Sequence, residues 1–317
     1  MKPSRKIFFL IFTFSMGALR GMAQDKPEMA QAIIHYKFSH VRDTTNRQDL
    51  YNENMILFLG SHSSAYKSYD KKMADALVRK QIQEQMANNP GGNVRIMRGK
   101  NSGSNTEYYQ FAADGKLVRR ERLINSYLIE EPMPAISWKI ENDTATFGGL
   151  HCQKATTHFK GRDYIAWFCP DLPFHSGPWK LNGLPGVIVD AHDTKNEVLF
   201  KFDGVEKVTP GTTTAATDAT AANGNNPPPL PMMGGDDPGD PNMIQLPSGA
   251  IKTTDKEYTD LRAAMQKDPN AFANAAMGAA GAGPQGGPGG NGPQMKMNIK
   301  VAPGPVINNP IELPEKK

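Results

Sequence analysis

The chain has 317 residues, 36 of them Lys or Arg against 32 Asp or Glu, for a formal charge of +4. That excess does not survive the loss of residues 1–23, which contain Lys2, Arg5, Lys6 and Arg20 and no acid, so a nucleic-acid or anionic-membrane partner has no electrostatic support. The two cysteines lack Cys-X-X-Cys spacing, which argues against redox catalysis.

Residues 1–23 read as a signal peptide. Lys2, Arg5 and Lys6 form the basic start, Ile7 to Met16 the short apolar core, and Gly21-Met22-Ala23 a small-x-small cleavage site. The apolar run is too short for an anchor and Arg20 interrupts it. No cysteine follows to carry a lipid, and no later run is long enough to span a bilayer. The expected product begins at Gln24 and is exported.

Residues 24–208 carry nearly all the aromatics and read as one β-rich domain. Ile34, Tyr36 and Phe38 alternate with His35, Lys37 and Ser39, and Met55, Leu57 and Leu59 repeat the pattern, the period of a strand with one buried face. A helix is predicted from about Tyr69 to Met86, where Met73, Ala76, Leu77, Ile82 and Met86 recur at helical spacing before Asn88-Asn89-Pro90-Gly91-Gly92 stops it. Further strands are expected at 94–98, 107–112, 116–123, 127–131, 136–141 and 144–147, with turns at Asp114-Gly115 and Asn142-Asp143. The expected fold is mainly β: an antiparallel sheet, rolled or sandwich-like, with one accessory helix and a low-complexity C-terminal tail.

Lys160-Gly161 has the form of a two-residue hairpin turn. Pairing Phe159 with Arg162 fixes the register outward and sets Cys152 opposite Cys169 at a non-hydrogen-bonded position, where a cross-strand disulfide is geometrically feasible. Two unrelated buried thiols are the competing reading; an oxidising destination favours the bridge. One face of this hairpin carries Lys154, Thr156, His158, Asp163, Ile165 and Trp167. The other carries Gln153, Ala155, Thr157, Phe159, Arg162, Tyr164, Ala166 and Phe168. Both are mixed, so periodicity does not choose the inside.

After Pro170-Asp171-Leu172-Pro173 comes GPWKLNGLPGVIVDAHD, residues 177–193. Gly183 is free to take φ > 0, Leu184 is pushed extended by the following proline, and Pro185-Gly186 suits the centre of a type II turn. A strand starts at Val187, turns at Asp193-Thr194-Lys195-Asn196, and returns through Val198, Phe200 and Phe202. Residues 209–317 are dominated by Gly, Pro, Ala, Asn and Thr and are expected to be a largely disordered tail. Within it Thr254 and Glu257 form a capping box for a short helix near 254–268, with Tyr258, Leu261 and Met265 on one stripe and a stop near Pro269. Residues 299–313 regain extended, strand-like character and are placed to return to the main domain.

SGPWKLNGLPGVIV, with CQKATTHFKGRDYIAWF just upstream, resembles the signature of the GLPGLI family of secreted bacterial proteins. YNENMILFLGSHSSAYKSYD and NNPIEL are similar to that family's flanking pieces. The chain departs from the pattern at Val187, where the family usually has Leu, and at Cys169, so the disulfide is not something the resemblance implies. What it does imply is a β-rich, Sec-exported protein of the Bacteroidota, periplasmic or associated with the outer membrane. It implies no reaction.

No constellation of specific spacing marks a catalytic centre. His158 faces Asp163 in the expected register, and Asp171, His175, Ser176, Asp190, His192 and Asp193 gather around the 177–193 segment, so a nucleophile system can be drawn. There is however no Gly-x-Ser-x-Gly elbow and no His-Glu-x-x-His, and polar turn residues account for the same positions. No catalytic residue, resident metal or cofactor is assigned. The preferred expectation is a non-catalytic binding or accessory protein that docks to an outer-membrane or other envelope partner, with Tyr164, Trp167, His175 and Trp179 lining an apolar groove. A tryptophan-filled core is the competing reading of those four residues. Two alternative functions stay open: an unrecognised hydrolase, and periplasmic Cu(I) binding by the thioethers of Met232, Met233, Met243, Met295 and Met297.

Overall fold

The computed structural model describes residues 27–88, 103–208, 240–280 and 306–315. The signal peptide, the strand expected at 94–98, residues 299–305, and Met232, Met233, Met295 and Met297 lie outside the described residues. In chain order the strands are β1 (Glu28–Met29), β2 (Ala32–His40), β3 (Tyr51–Leu59), β4 (Ser63–Ser68), β5 (Glu107–Phe111), β6 (Lys116–Arg122), β7 (Ser126–Pro132), β8 (Lys139–Phe147), β9 (Leu150–Phe159), β10 (Arg162–Cys169), β11 (Val187–Asp193), β12 (Val198–Lys207), β13 (Met243–Ile244) and β14 (Ile251–Thr253). The helices are α1 (Tyr69–Asn88), α2 (Asp255–Lys267) and α3 (Pro269–Ala280).

Twelve strands form one sheet in the order β14-β7-β6-β5-β4-β3-β2-β12-β11-β10-β9-β8, with β14 and β8 at its edges. All its ladders are antiparallel except β14 on β7. The fold is therefore mainly β, as expected, and the sheet is rolled. Tyr66 of β4 and Phe200 of β12 sit three strand spacings apart, roughly 14 Å in a flat sheet. Their ring centroids are 6.3 Å apart. The inner face of the roll buries Ile34, Tyr36, Leu57, Phe159, Tyr164, Phe168 and Phe200, and the outer face of its middle buries Ile33, Ile56, Phe58, Tyr109 and Val118. This double burial explains why Met55–Leu59 is a continuous apolar run rather than an alternating one.

The hairpin formed by β9 and β10 has the expected register throughout, from Arg162 opposite Phe159 to Phe168 opposite Gln153. Lys160 and Gly161 take φ of 51° and 70°, the geometry of a type I′ turn. Cys152 and Cys169 are disulfide-bonded, their Cα atoms 4.1 Å apart. The inward face is the one with Arg162 and Tyr164.

Several expectations are corrected. Ser63–Ser68 is a strand that polar composition concealed; it is buried nearly throughout because it lies in the middle of the sheet. Residues 139–147 form one strand with a bulge between Ile140 and Thr144, not two strands about an Asn142-Asp143 turn. Bulged, charged strands are usual at an open edge, where they discourage further pairing. The helix at 69–88 forms, but its apolar stripe is not its packed side: Met73 and Leu77 are 48% and 54% exposed. The composition change near residue 208 is not the end of the fold, since β13 pairs with β1 and β14 extends the sheet. Thr254 and Glu257 form the expected capping box, and Pro269 opens α3 just beyond the end of α2. Residues 306–315 do return to the domain, but as an extended segment without a ladder of its own.

Candidate functional site

Two features dominate the inner surface of the hairpin: the loop that follows it, and the charge cluster around Arg162. The loop doubles back at Ser176, which bridges to Asn182, and at His175, whose carbonyl accepts from the Gly183 amide at 3.1 Å. At its tip Trp179 takes φ 56°, uncommon for an aromatic residue. The indole is 2% exposed and fills the roll between Phe159, Tyr164 and Phe200, whose ring centroids lie 5.6, 6.4 and 6.4 Å away. Gln110 of β5 donates to the carbonyls of Trp179 and Leu181, so the loop plugs the roll by bonding to its opposite wall.

Gly183 has φ 90°, as its position required. Pro185-Gly186 is not a type II turn. The Gly186 amide donates to the Leu184 carbonyl at 2.9 Å, closing a three-residue turn about Pro185. Gly186 is needed for closeness, because a Cβ there would overlap the Cys169 carbonyl. The turn therefore packs directly on the strand that carries the disulfide. Leu184 is buried, and its carbonyl accepts a hydrogen bond from His175 Nδ1 at 2.9 Å.

The four residues expected to line a groove are not brought together. Tyr164 and Trp179 are core, 1% and 2% exposed. Trp167 lies on the opposite face of β10, half-buried against Phe147 at 5.9 Å, and His175 is exposed. Alternation along β10 makes this unavoidable, since Tyr164 and Trp167 differ in parity. An open groove of about 540 Å³ lies elsewhere, between β14 and α2, lined by Tyr127, Ile251, Leu261 and the carboxylates of Glu257 and Asp260.

The residues drawn as a nucleophile system are likewise dispersed into structural bonds. His158 stands between Asp163 (2.6 Å) and Glu315 (2.9 Å), carboxylates that raise its pKa. Asp171 accepts the His151 amide. Asp190, 4% exposed, faces Lys201 at 3.4 Å and His192 at 3.7 Å on the outer face. Asp193 accepts the amides of Glu197 and Val198. Among the described residues no group of three or more His, Cys, Asp or Glu is arranged to hold a metal. Met243 is paired with Met29 across β13 and β1.

Arg162 was not singled out by the sequence, yet it organises the most elaborate polar site. Its side chain is 2% exposed. Nη1 donates to Asp193 (2.7 Å) and Glu197 (3.2 Å), Nη2 to the Asn309 side chain (2.7 Å) and the Pro310 carbonyl (2.8 Å), and Nε to the Ile311 carbonyl (3.0 Å). Asn309 donates from its side chain to the Val41 carbonyl and to Glu197, and from its amide to the Arg42 carbonyl. His40 Nε2 meets the Asn309 carbonyl at 2.8 Å, and burial pushes this imidazole down to about 4, so it is neutral and donates. Burial works against the Glu197 carboxylate, but hydrogen bonds from Arg47, Arg162 and Asn309 hold it below its usual range. Glu312 lies between Lys160 (3.1 Å) and Lys180 (2.9 Å), Leu313 bonds the Lys160 carbonyl, and Glu315 accepts the Gly161 amide. No sequence signal marks Arg162, because both hairpin faces are mixed and periodicity does not identify its face as the inward one.

No family model matches the chain, and no curated protein matches it. Among solved structures, PNGF-II in space group P21 is similar over 73% of this chain and 32% of its own, with a TM-score of 0.44 and 10% identity. The C2 form of PNGF-II gives 72%, 32%, 0.42 and 12%. This chain thus spans about a third of the length of those structures.

Proposed function

We propose that this chain is an exported envelope protein, as the GLPGLI resemblance implies, and that its role is non-catalytic binding or accessory. The observation that carries the reading is the use to which buried charge is put. Arg162, Glu197 and Lys180 grip an extended peptide segment, with Asp193 bracing Arg162, rather than converging on an open cleft where substrate would meet them. The leader-like residues 1–23 and the Cys152–Cys169 bridge support export, since disulfides persist in oxidising compartments.

Cell fractionation with N-terminal sequencing tests this. The expected product starts at Gln24, is found in the envelope fraction, and contains no free thiol. An uncleaved, reduced protein in the cytosol would remove the reading. In-cell crosslinking with mass spectrometry then tests the accessory role, for which one reproducible envelope partner is expected.

A further inference from the structure

Each residue from Asn309 to Leu313 meets a defined feature of the domain. The Asn309 carboxamide uses its oxygen on Arg162 and its nitrogen on the Val41 carbonyl and Glu197, a pattern that a carboxylate at the same place would turn into repulsion. Pro310 has no amide to leave unsatisfied, and its carbonyl takes the second Nη2 bond. Ile311 packs on the inner core. Glu312 sits between two lysines, and Leu313 lies over Gly161, where any Cβ would collide with it.

The receiving surface is braced independently of this segment. Arg162 is fixed by Asp193, Asp193 by two amides of its own turn, and Glu197 by Arg47. Among the described residues only three backbone–backbone bonds hold the segment, the amides of Asn308 and Asn309 to Arg42 and that of Leu313 to Lys160; its other backbone contacts are carbonyls that meet the His40 and Arg162 side chains. Residues 281–305 join it to α3 and reach about 80 Å when fully extended, enough to span to a neighbouring molecule.

We propose that the surface between the β9–β10 turn and Val41-Arg42 is a peptide-recognition site for an extended Asn-Pro-aliphatic-acidic-Leu sequence. Its resident ligand is residues 309–313 of the same chain, and the same segment of a second copy binds there in exchange. This deepens the binding-protein reading by naming a ligand class. Its failure would leave the envelope reading standing, because fractionation tests that separately.

The test uses a fluorescent peptide of residues 306–317 and the full chain. Unaltered chain is expected to take up the peptide weakly, since its own segment competes at an effective concentration near the millimolar range. A full chain carrying Asn309→Ala, whose own segment is loosened, is expected to bind at least about tenfold tighter, and a peptide with Asn309→Asp at least about tenfold weaker than the native peptide. A folded Asn309→Ala chain that takes up no peptide at about 1 mM, or that does not distinguish the two peptides, would overturn the proposal. Should that variant not fold, a protease site is placed within 281–305 of the unaltered chain and cut after folding. The 306–317 fragment should then stay with the body in gel filtration and exchange with excess labelled peptide; a fragment that never exchanges refutes the idea.

Discussion

Replacing Arg162 by Met removes five hydrogen bonds while keeping the length of the side chain's stem, and leaves Asp193 and Glu197 in places where their side chains are 2% and 7% exposed. Breaking a buried ion pair by removing one partner costs about 3–5 kcal/mol; here Glu197 keeps Arg47 and Asp193 keeps two amides, so the loss falls at the lower end, about 3 kcal/mol. For a domain of this size that lowers the thermal midpoint by about 10 °C. Urea and thermal unfolding followed by circular dichroism would measure it. The cause is separable from lost packing: adding Asp193→Asn and Glu197→Gln to Arg162→Met should recover a large part of the loss. The pH dependence has a definite sign. Glu197 has its pKa depressed on folding, so the intact cluster contributes stability above the ordinary carboxylate range and loses it as pH falls through the folded value. The gap between the unaltered chain and Arg162→Met should therefore narrow on acidification. A loss below about 1 kcal/mol, or no recovery in the triple variant, would refute this account of the cluster.

Reduction of the Cys152–Cys169 bridge, which closes a sequence separation of 17, should cost about 3 kcal/mol; identical urea midpoints with and without reductant would contradict it. His40 is kept neutral by burial, with a folded pKa of about 4 against an unfolded value near 6.5, so it contributes stability above that value that is lost as pH falls toward 4. The stability difference between the unaltered chain and His40→Gln should shift by up to about 3 kcal/mol between pH 7 and 4, and a constant difference would count against it. Gly186→Ala should destabilise by about 1–3 kcal/mol through collision with the Cys169 carbonyl. Gly204→Ala, which meets nothing, should stay within about 0.5 kcal/mol; equal effects of the two would sink the close-approach argument.

What could be read from the sequence was what local chemistry decides. Two residues with φ > 0 at Lys160-Gly161 set a register that carried through to the cysteines, and Thr254 with Glu257 set a helix start. What could not be read depends on distant partners. Ser63–Ser68 looks like a loop until β3 and β5 cover it. Pro185-Gly186 has the composition of a type II turn, yet the Val187 amide goes to the distant Leu172 carbonyl and Gly186 packs on the Cys169 carbonyl. Trp179 and Trp167 look alike as aromatic anchors, but the loop after the hairpin carries one into the roll, while alternation along β10 turns the other to the outer face. Arg162 is ordinary in a Gly-Arg turn because its most telling partner, Asn309, is 147 residues away.

That distance also orders events in time. The β9–β10 hairpin is local and can close as soon as its two strands have left the ribosome, and the thiols of Cys152 and Cys169 then stand ready for an oxidant. Arg162 has to wait, since the carbonyls of Pro310 and Ile311 and the carboxamide of Asn309 arrive only after 147 more residues. The last bonds of this hairpin thus report that everything between has been synthesised and delivered. A nick anywhere in residues 281–305 would turn that report into a question of whether two separate pieces still find each other.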